Sequence, residues 1–381
     1  VNLPERVLVT RELTVSVDAM GGDAGPGVVV AALVRAIERH PAIQFLLHGD
    51  EAVLNPLLAA QPRLKGRITL RHAPERVTME DKPSQIVRRG QNTSMWRAIE
   101  SVKKGEAGVA VSAGNTGALM AMSLLQLRTI EGIARPAIAS IWPTMRGRTV
   151  VLDVGANVSA TAEQLVDFAV MGEAYAQVVF NMERPIVGLL NVGSEEQKGN
   201  DAVRAAAAIL RSSKLPIAFH GFVEGNDITE GLVDVVVTDG FTGNIALKTA
   251  EGAAKLVSGY LRRALKRSLL GTIGAMFAAG ALGTLKRNLD PRASAGGVFL
   301  GLNGIVVKAH GGTDEIGFSG ALSLAVDLAH ADLNARITAD HRKLGGASQE
   351  QEQEQEQEQE QEQEQEQEQE QEQEQEQAAL T

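Results

Sequence analysis

Short apolar runs alternate with longer stretches of helical periodicity along most of this chain. Runs at 13–17, 44–47, 68–70, 109–111, 149–152, 186–190, 217–219, 233–237 and 305–307 are mostly β-branched and lack polar alternation. Strands of that kind are covered on both faces, as in a parallel sheet flanked by helices. Further periodic stretches predict helices over 28–39, 84–104, 118–127, 162–181, 202–211, 245–266 and 321–342, the first opened by Pro26 and Gly27. This order of elements predicts a doubly wound α/β/α sandwich with a mostly parallel sheet.

Five junctions between these elements share a composition. SAGNTG (112–117), DVGAN (153–157), NVGSEEQKGN (191–200), DVVVTDGFTGN (234–244) and KAHGGTD (308–314) each follow a β-rich run and precede a helical pattern. Loops of this kind, at the carboxyl ends of parallel strands, gather around one crevice and point backbone N–H groups at an entering anion. The chain is therefore expected to hold small anionic groups.

Composition narrows the chemistry. At 381 residues and 44% hydrophobic content the chain can bury the core of one broad domain or two lobes. It has no Cys, which excludes disulfides, thiolate metal sites and a cysteinyl intermediate. The seven histidines are scattered and meet no acidic pairs at helical spacing, so no catalytic metal is expected. GGDAGPG has the wrong glycine spacing for GxGxxG and no P-loop is present, so no nicotinamide cofactor is expected either. Residues 1–12 lack the apolar core of a secretory signal, which reads as intracellular.

The formal charge of -10 is dominated by an alternating Gln/Glu tract over 349–377. Without its fourteen glutamates the remainder carries +4, which suits phosphorylated ligands, acidic partners or an anionic membrane surface. The tract has nothing apolar to bury and repeats like charges at i,i+4, so a solvated tail over 347–381 is expected beyond a catalytic domain at 13–346.

One segment departs from a plain sandwich. Residues 268–285 carry no charge and are bracketed by Lys266, Arg267 and Lys286, Arg287. The length would serve a membrane span, but the Gly/Ala content and basic residues at both ends favour an interfacial position. The preceding helix repeats Leu247, Ala250, Ala254, Val257, Leu261 and Leu265 on one side, with Arg262, Arg263, Lys266 and Arg267 mostly on the other. A helical hairpin over about 245–288, packed on a second subunit or exposing an apolar tip, is expected.

Together DAMGGD, SAGNTGAL, DVGAN, GFVEGNDI, DVVVTDGFTGNIALKTAEG and GLNGIVVKAHG resemble the PlsX phosphate acyltransferases, collinearly from about 13 to 344. The resemblance implies transfer of a fatty acyl group from acyl carrier protein to inorganic phosphate for phospholipid synthesis. It also implies a fold similar to phosphotransacetylases and the isopropylmalate dehydrogenase group, and a cytoplasmic homodimer peripherally bound to the membrane, where a downstream membrane acyltransferase is a further implied partner. Two places depart from the family pattern: Ala24, Gly25 and Pro26 stand where many members have His or a larger residue, and DPRASAGG (290–297) replaces a tyrosine-containing sequence.

The chemistry follows without the resemblance. A phosphate oxygen can attack a thioester directly, so the site must fix the dianion, stabilise the developing oxyanion and steady the leaving thiolate. Gly114, Asn115, Thr116 and Gly117 are candidates for the phosphate cradle. Lys198, in a polar loop, is a candidate cation for the tetrahedral species, a role that the family position supports. Thr242, Gly243 and Asn244 open a helix, where Asn244 is either an N-cap or a donor to the thioester oxygen. Asn157 and Asn226 carry the same ambiguity. His310 at a strand end is a candidate for proton movement, and Lys308 should project beside it. Asp239 is read as a helix cap, Asp18 and Asp23 as turn residues, and the other histidines as surface or turn positions. Arg262, Arg263, Lys266 and Arg267 suit acidic carrier protein or anionic lipid. The rivals are a dehydrogenase of the same fold group, whose carboxylate metal site and arginine cluster are not found, and a membrane-bound scaffold without catalysis.

Overall fold

The computed structural model describes residues 13–213, 217–288 and 296–343; the first twelve residues, most of DPRASAGG and the Gln/Glu tract lie outside them. The described chain runs β1 (Thr14–Asp18), α1 (Pro26–Arg39), β2 (Gln44–Gly49), α2 (Glu51–Ala59), β3 (Ile68–His72), α3 (Pro83–Arg89), α4 (Ser94–Lys103), β4 (Val109–Ser112), α5 (Thr116–Leu127), β5 (Ala137–Thr144), β6 (Gly147–Leu152), α6 (Ala162–Phe180), β7 (Ile186–Leu190), α7 (Asp201–Ser212), β8 (Ala218–Val223), α8 (Gly225–Glu230), β9 (Val235–Val237), α9 (Gly240–Lys266), α10 (Leu269–Phe277), α11 (Ala279–Asn288), β10 (Gly297–Leu300), β11 (Ile305–Lys308) and α12 (Glu315–His330), followed by a helical stretch at 333–343.

All eleven strands join one sheet in the order β3-β2-β1-β4-β11-β10-β5-β6-β9-β7-β8. Helices cover both faces, which is why Val15, Val17, Val109, Val111, Val235, Val237 and Val307 are almost wholly buried. The sandwich is the expected one, but its middle is antiparallel: β10 pairs against β11 and β5, and β5 folds back on β6. The strands from β6 to β8 therefore run opposite to those from β3 to β11. Sequence periodicity missed both β5 and β10. Pro143 and Ser140 interrupt the apolar run of β5, and β10 has only four residues.

Several helix ends differ from their expected positions for local reasons. The helix expected over 84–104 breaks into two, because Thr93 accepts Trp96 N–H at 3.3 Å and caps a new helix. The one expected over 321–342 starts earlier, capped by Asp314, and is interrupted at Asp332, whose φ is 50. α6 opens on a full capping box between Thr161 and Gln164. The uncharged run over 268–285 divides into α10 and α11. No helix among the described residues is long and apolar enough to cross a membrane. Leu256, Val257, Tyr260, Leu270, Met276 and Phe277 are all more than half exposed, so the hairpin carries its apolar side chains outside the core.

Candidate active site

A first cluster forms at the carboxyl ends of β1, β4 and β11, which are neighbours in the sheet. Asp18 ends β1 almost fully buried, and its carboxylate accepts Ser94 Oγ and Ser112 Oγ, each at 2.6 Å, and Met20 N–H at 3.2 Å. Ser112 Oγ accepts Gly114 N–H at 3.0 Å in turn. Burial pushes the Asp18 carboxyl above its ordinary range, while the serine hydroxyls oppose that shift. Close backbone approach completes the stack: a Cβ on Gly21 would stand 2.8 Å from the Gly114 nitrogen, and Asp23 N–H donates to Gly311 O at 2.9 Å.

Lys308 ends β11 and is only 8% exposed. Its ammonium donates to Ala113 O at 3.3 Å and to Ala309 O, so it grips the peptide just before α5. Burial lowers its pKa to about 8, outweighing the pull of Asp18 and Asp23. Asn115 caps α5 by accepting Ala118 N–H at 3.0 Å, and its Nδ2 donates to Met79 O at 3.0 Å. Among the described residues no hydrogen bond takes up the N–H of Thr116 or Gly117, two first-turn donors suited to an anion. His310 is exposed, and its Nδ1 accepts Gly312 N–H at 3.2 Å, which leaves the proton of the neutral ring on Nε2. Partial burial holds its pKa below the ordinary histidine value, with Glu251 acting the other way.

A second cluster forms where β6 and β9 end. Asp153 is fully buried and accepts Ile138, Gly155, Ala156 and Asn157 N–H at 2.7 to 3.1 Å, together with Asn157 Nδ2 at 3.0 Å. Burial nevertheless raises its carboxyl above the usual range. The first turn of α9 packs on this loop. Asp239 caps it, accepting Thr242 N–H at 2.9 Å and Thr242 Oγ1 at 2.8 Å. A Cβ on Gly240 would come within 2.5 Å of Asn157 O, and one on Gly243 would overlap Asp153 O. Asn244 follows on the next turn, over Gly155, with no hydrogen bond to its amide among the described residues.

Because the strands reverse direction in mid-sheet, the two clusters leave it at opposite strand ends. The four pairings from β4 to β6, at −20 to −25° each, turn those strands by roughly 80–100° relative to one another. α9 spans what remains. Lys248, Glu251 and Lys255 follow Asn244 at i+4, i+7 and i+11, on one stripe of the helix. Their charges act on His310, and that of Lys248 also acts on Lys308. One helix therefore starts on the second cluster and passes the first within electrostatic reach.

A family model described as fatty acid synthesis protein matches residues 13–336. The chain belongs to that family. It is 57% identical over 339 residues to a phosphate acyltransferase of Parvibaculum lavamentivorans, covering 89% of this chain and 94% of that one. It is 57% identical to one of Maricaulis maris, covering 88% and 97%. Relatives this close make the protein an acyltransferase. Its fold is shared with a phosphotransacetylase from Streptococcus pyogenes (TM-score 0.54, 19% identity, covering 84% of this chain and 94% of that one). It is shared also with the EutD phosphotransacetylase from Staphylococcus aureus (TM-score 0.52, 15% identity, covering 84% and 96%).

Within this fatty acid synthesis family member, the residues expected at one crevice divide into groups. Gly114, Asn115, Thr116, Gly117, Lys308 and His310 meet in the first cluster; Asn157, Thr242, Gly243 and Asn244 meet in the second. Lys198 lies in the β7–α7 loop, about half exposed, with Nζ 3.0 Å from Glu195. That loop leaves the same edge as the second cluster, since β7 pairs with β9 in parallel. Asn226 lies beyond β8, where its Nδ2 donates to Asp227 at 3.1 Å. The side-chain amides of Asn115, Asn157 and Asn226 thus already have protein partners, whereas Asn244 is no N-cap and its amide meets no hydrogen-bond partner among the described residues. The helix expected from 245 begins at Gly240, so Thr242, Gly243 and Asn244 lie inside it. Arg262, Arg263, Lys266 and Arg267 are exposed at the far end of α9.

Sequence reading passed over three features. Asp18, read as a turn residue, and Asp153, given no role of its own, are both buried organisers of whole loops, and an Asp at a strand end two or three residues before a Gly was their only signal. His48 is buried 3.3 Å from Ser101 Oγ, and His341 pairs with Asp167 at 2.9 Å, so neither is a surface histidine. The Ser101–His48 contact is buried between α4 and β2. Among the described residues no cluster suits a metal ion.

Proposed function

We propose that this enzyme transfers a fatty acyl group from acyl carrier protein to inorganic phosphate, giving acyl phosphate for phospholipid synthesis. The observation that carries the reading is the pair of loop clusters, rich in backbone N–H donors and spanned by α9, in a chain without Cys. Hydrogen phosphate binds against the start of α5 and the His310 loop, with Thr116 and Gly117 N–H as donors. Asn244 and Lys198, both on the second edge, stabilise the oxyanion that forms when a phosphate oxygen attacks the thioester carbon. The C–S bond then breaks, and the proton of hydrogen phosphate passes to the departing thiolate, while the Nε2–H of His310 holds a phosphate oxygen by a hydrogen bond.

Lys308 and Asp18 hold the cradle in shape from below. The exposed basic residues Arg262, Arg263, Lys266 and Arg267 face an acidic carrier or an anionic bilayer, and the protein acts as a cytoplasmic homodimer touching the membrane beside the acyltransferase that consumes its product. Incubation with acyl carrier thioester tests this: release of free carrier thiol that depends on added phosphate supports it. Release of equal rate without phosphate, or none at all, rejects it.

A further inference from the structure

Of the two cations that sequence placed at the reaction, Lys308 is held from below the first cluster and Lys198 stands on the second edge. Lys308 is buried and donates to two backbone carbonyls, and Lys198 pairs with Glu195 in its own loop. Neither of these two lysines is therefore free to meet an anion at Thr116 and Gly117 N–H in the first cluster. Helix α9 brings another cation. Lys248 is 57% exposed and its Nζ lies 3.0 Å from Glu251 Oε2. Glu251 is only 16% exposed although Ala250, Gly252 and Ala253 beside it are exposed, so its carboxylate is turned in toward the body of the protein. The helical stripe that starts at Asn244 over Gly155 reaches Lys248 after one turn, about 6 Å along the axis. The groups around His310 are then Lys248, Lys255 and Lys308 on the positive side and Glu251 on the negative, with Asp18 and Asp23 near Lys308.

We propose that Lys248 is a phosphate-binding residue of this enzyme, its ammonium moving from Glu251 to an oxygen of the bound dianion, and that Glu251 is the positioning residue that keeps it aimed at the His310 loop. The assignment rests on the reading of the protein as a phosphate acyltransferase and adds to it the group that neutralises the nucleophile. It also gives α9 a second task. The helix that carries Asn244 to the carbonyl carries Lys248 to the phosphate, so the two reactants are registered by one rigid element.

Inorganic phosphate titrated into the full chain by calorimetry, alongside steady-state kinetics at varied phosphate, tests the assignment. Lys248→Ala should weaken phosphate binding and raise its KM by about tenfold or more, the scale of a lost charge-assisted hydrogen bond, with the KM for acyl carrier thioester within about twofold. Lys248→Arg should recover most of the loss, which a purely structural role would not allow. Glu251→Gln should raise the phosphate KM by a smaller factor. Lys104→Ala, which removes a surface partner of Glu100, should change nothing. Phosphate binding by Lys248→Ala equal to wild type overturns the proposal, as does failure of the wild type to bind phosphate. If thioester cleavage proves independent of phosphate, the acyl-transfer reading fails, and the calorimetric comparison still decides the role of Lys248.

Discussion

Gly243 packs directly beneath Asp153: a methyl group on the glycine would overlap the aspartate's carbonyl oxygen. The contact fixes where α9 leaves the sheet, and hence where Asn244 and Lys248 stand. Gly243→Ala should lower kcat by tenfold or more, through displacement of the helix, in an activity assay on a variant that still melts cooperatively. Gly252 lies on the same helix with open space around it. Gly252→Ala should therefore keep activity and gain about 0.5–1 kcal/mol in a denaturant titration, the usual difference in a helix interior.

The Asp18–Ser112–Gly114 chain makes a separate prediction. Ser112→Ala removes both the hydroxyl donated to the buried Asp18 carboxylate and the acceptor of the Gly114 N–H. Each such loss costs about 1–3 kcal/mol, so chemical denaturation should show clear destabilisation. The same loosening should raise the KM for phosphate, because Gly114 leads directly into the Thr116 and Gly117 donors.

His310 sets the acid side of the pH profile. Its neutral ring accepts Gly312 N–H, and protonation would abolish that bond. The folded pKa lies below the ordinary value of 6.5, so the competent neutral form persists to lower pH before it is lost. The kcat/KM profile should fall on an acid limb that lies below the ordinary histidine range. His310→Gln should be slow and should lack that limb.

Glu173, on α6, is 6% exposed beside Asp340, Lys343 and Arg184. Burial, with Asp340 second, raises its pKa from 4.5 to about 7. A carboxyl raised on folding favours the folded state while protonated, and that contribution disappears as pH rises from about 4.5 to 7. Glu173→Gln should therefore melt several degrees above wild type at pH 8 and match it near pH 4. Equal melting at both pH values would contradict the assignment.

The outer strands and the helices on them were legible because runs such as those of β7 and β9 are apolar on both faces. The antiparallel centre was not. β5 contains a proline and β10 is too short to show a period, so only the pairing reveals that the sheet reverses there. That reversal also explains why one crevice resolved into two clusters. The glycine-rich loops announced the clusters, but Asn115 and Asn157 proved to be tied to their own loops. Lys248 and Glu251 carried no signal in the sequence, and only their charges acting on His310 set them apart.

The central claim is that phosphate itself is the nucleophile. Intact-mass spectrometry of the enzyme mixed with excess acyl carrier thioester, first without phosphate and then with it, tests this directly. The account predicts unmodified enzyme in both samples and free carrier thiol, with acyl phosphate, only in the second. An enzyme heavier by one acyl group in the phosphate-free sample, discharged when phosphate is added, would contradict it.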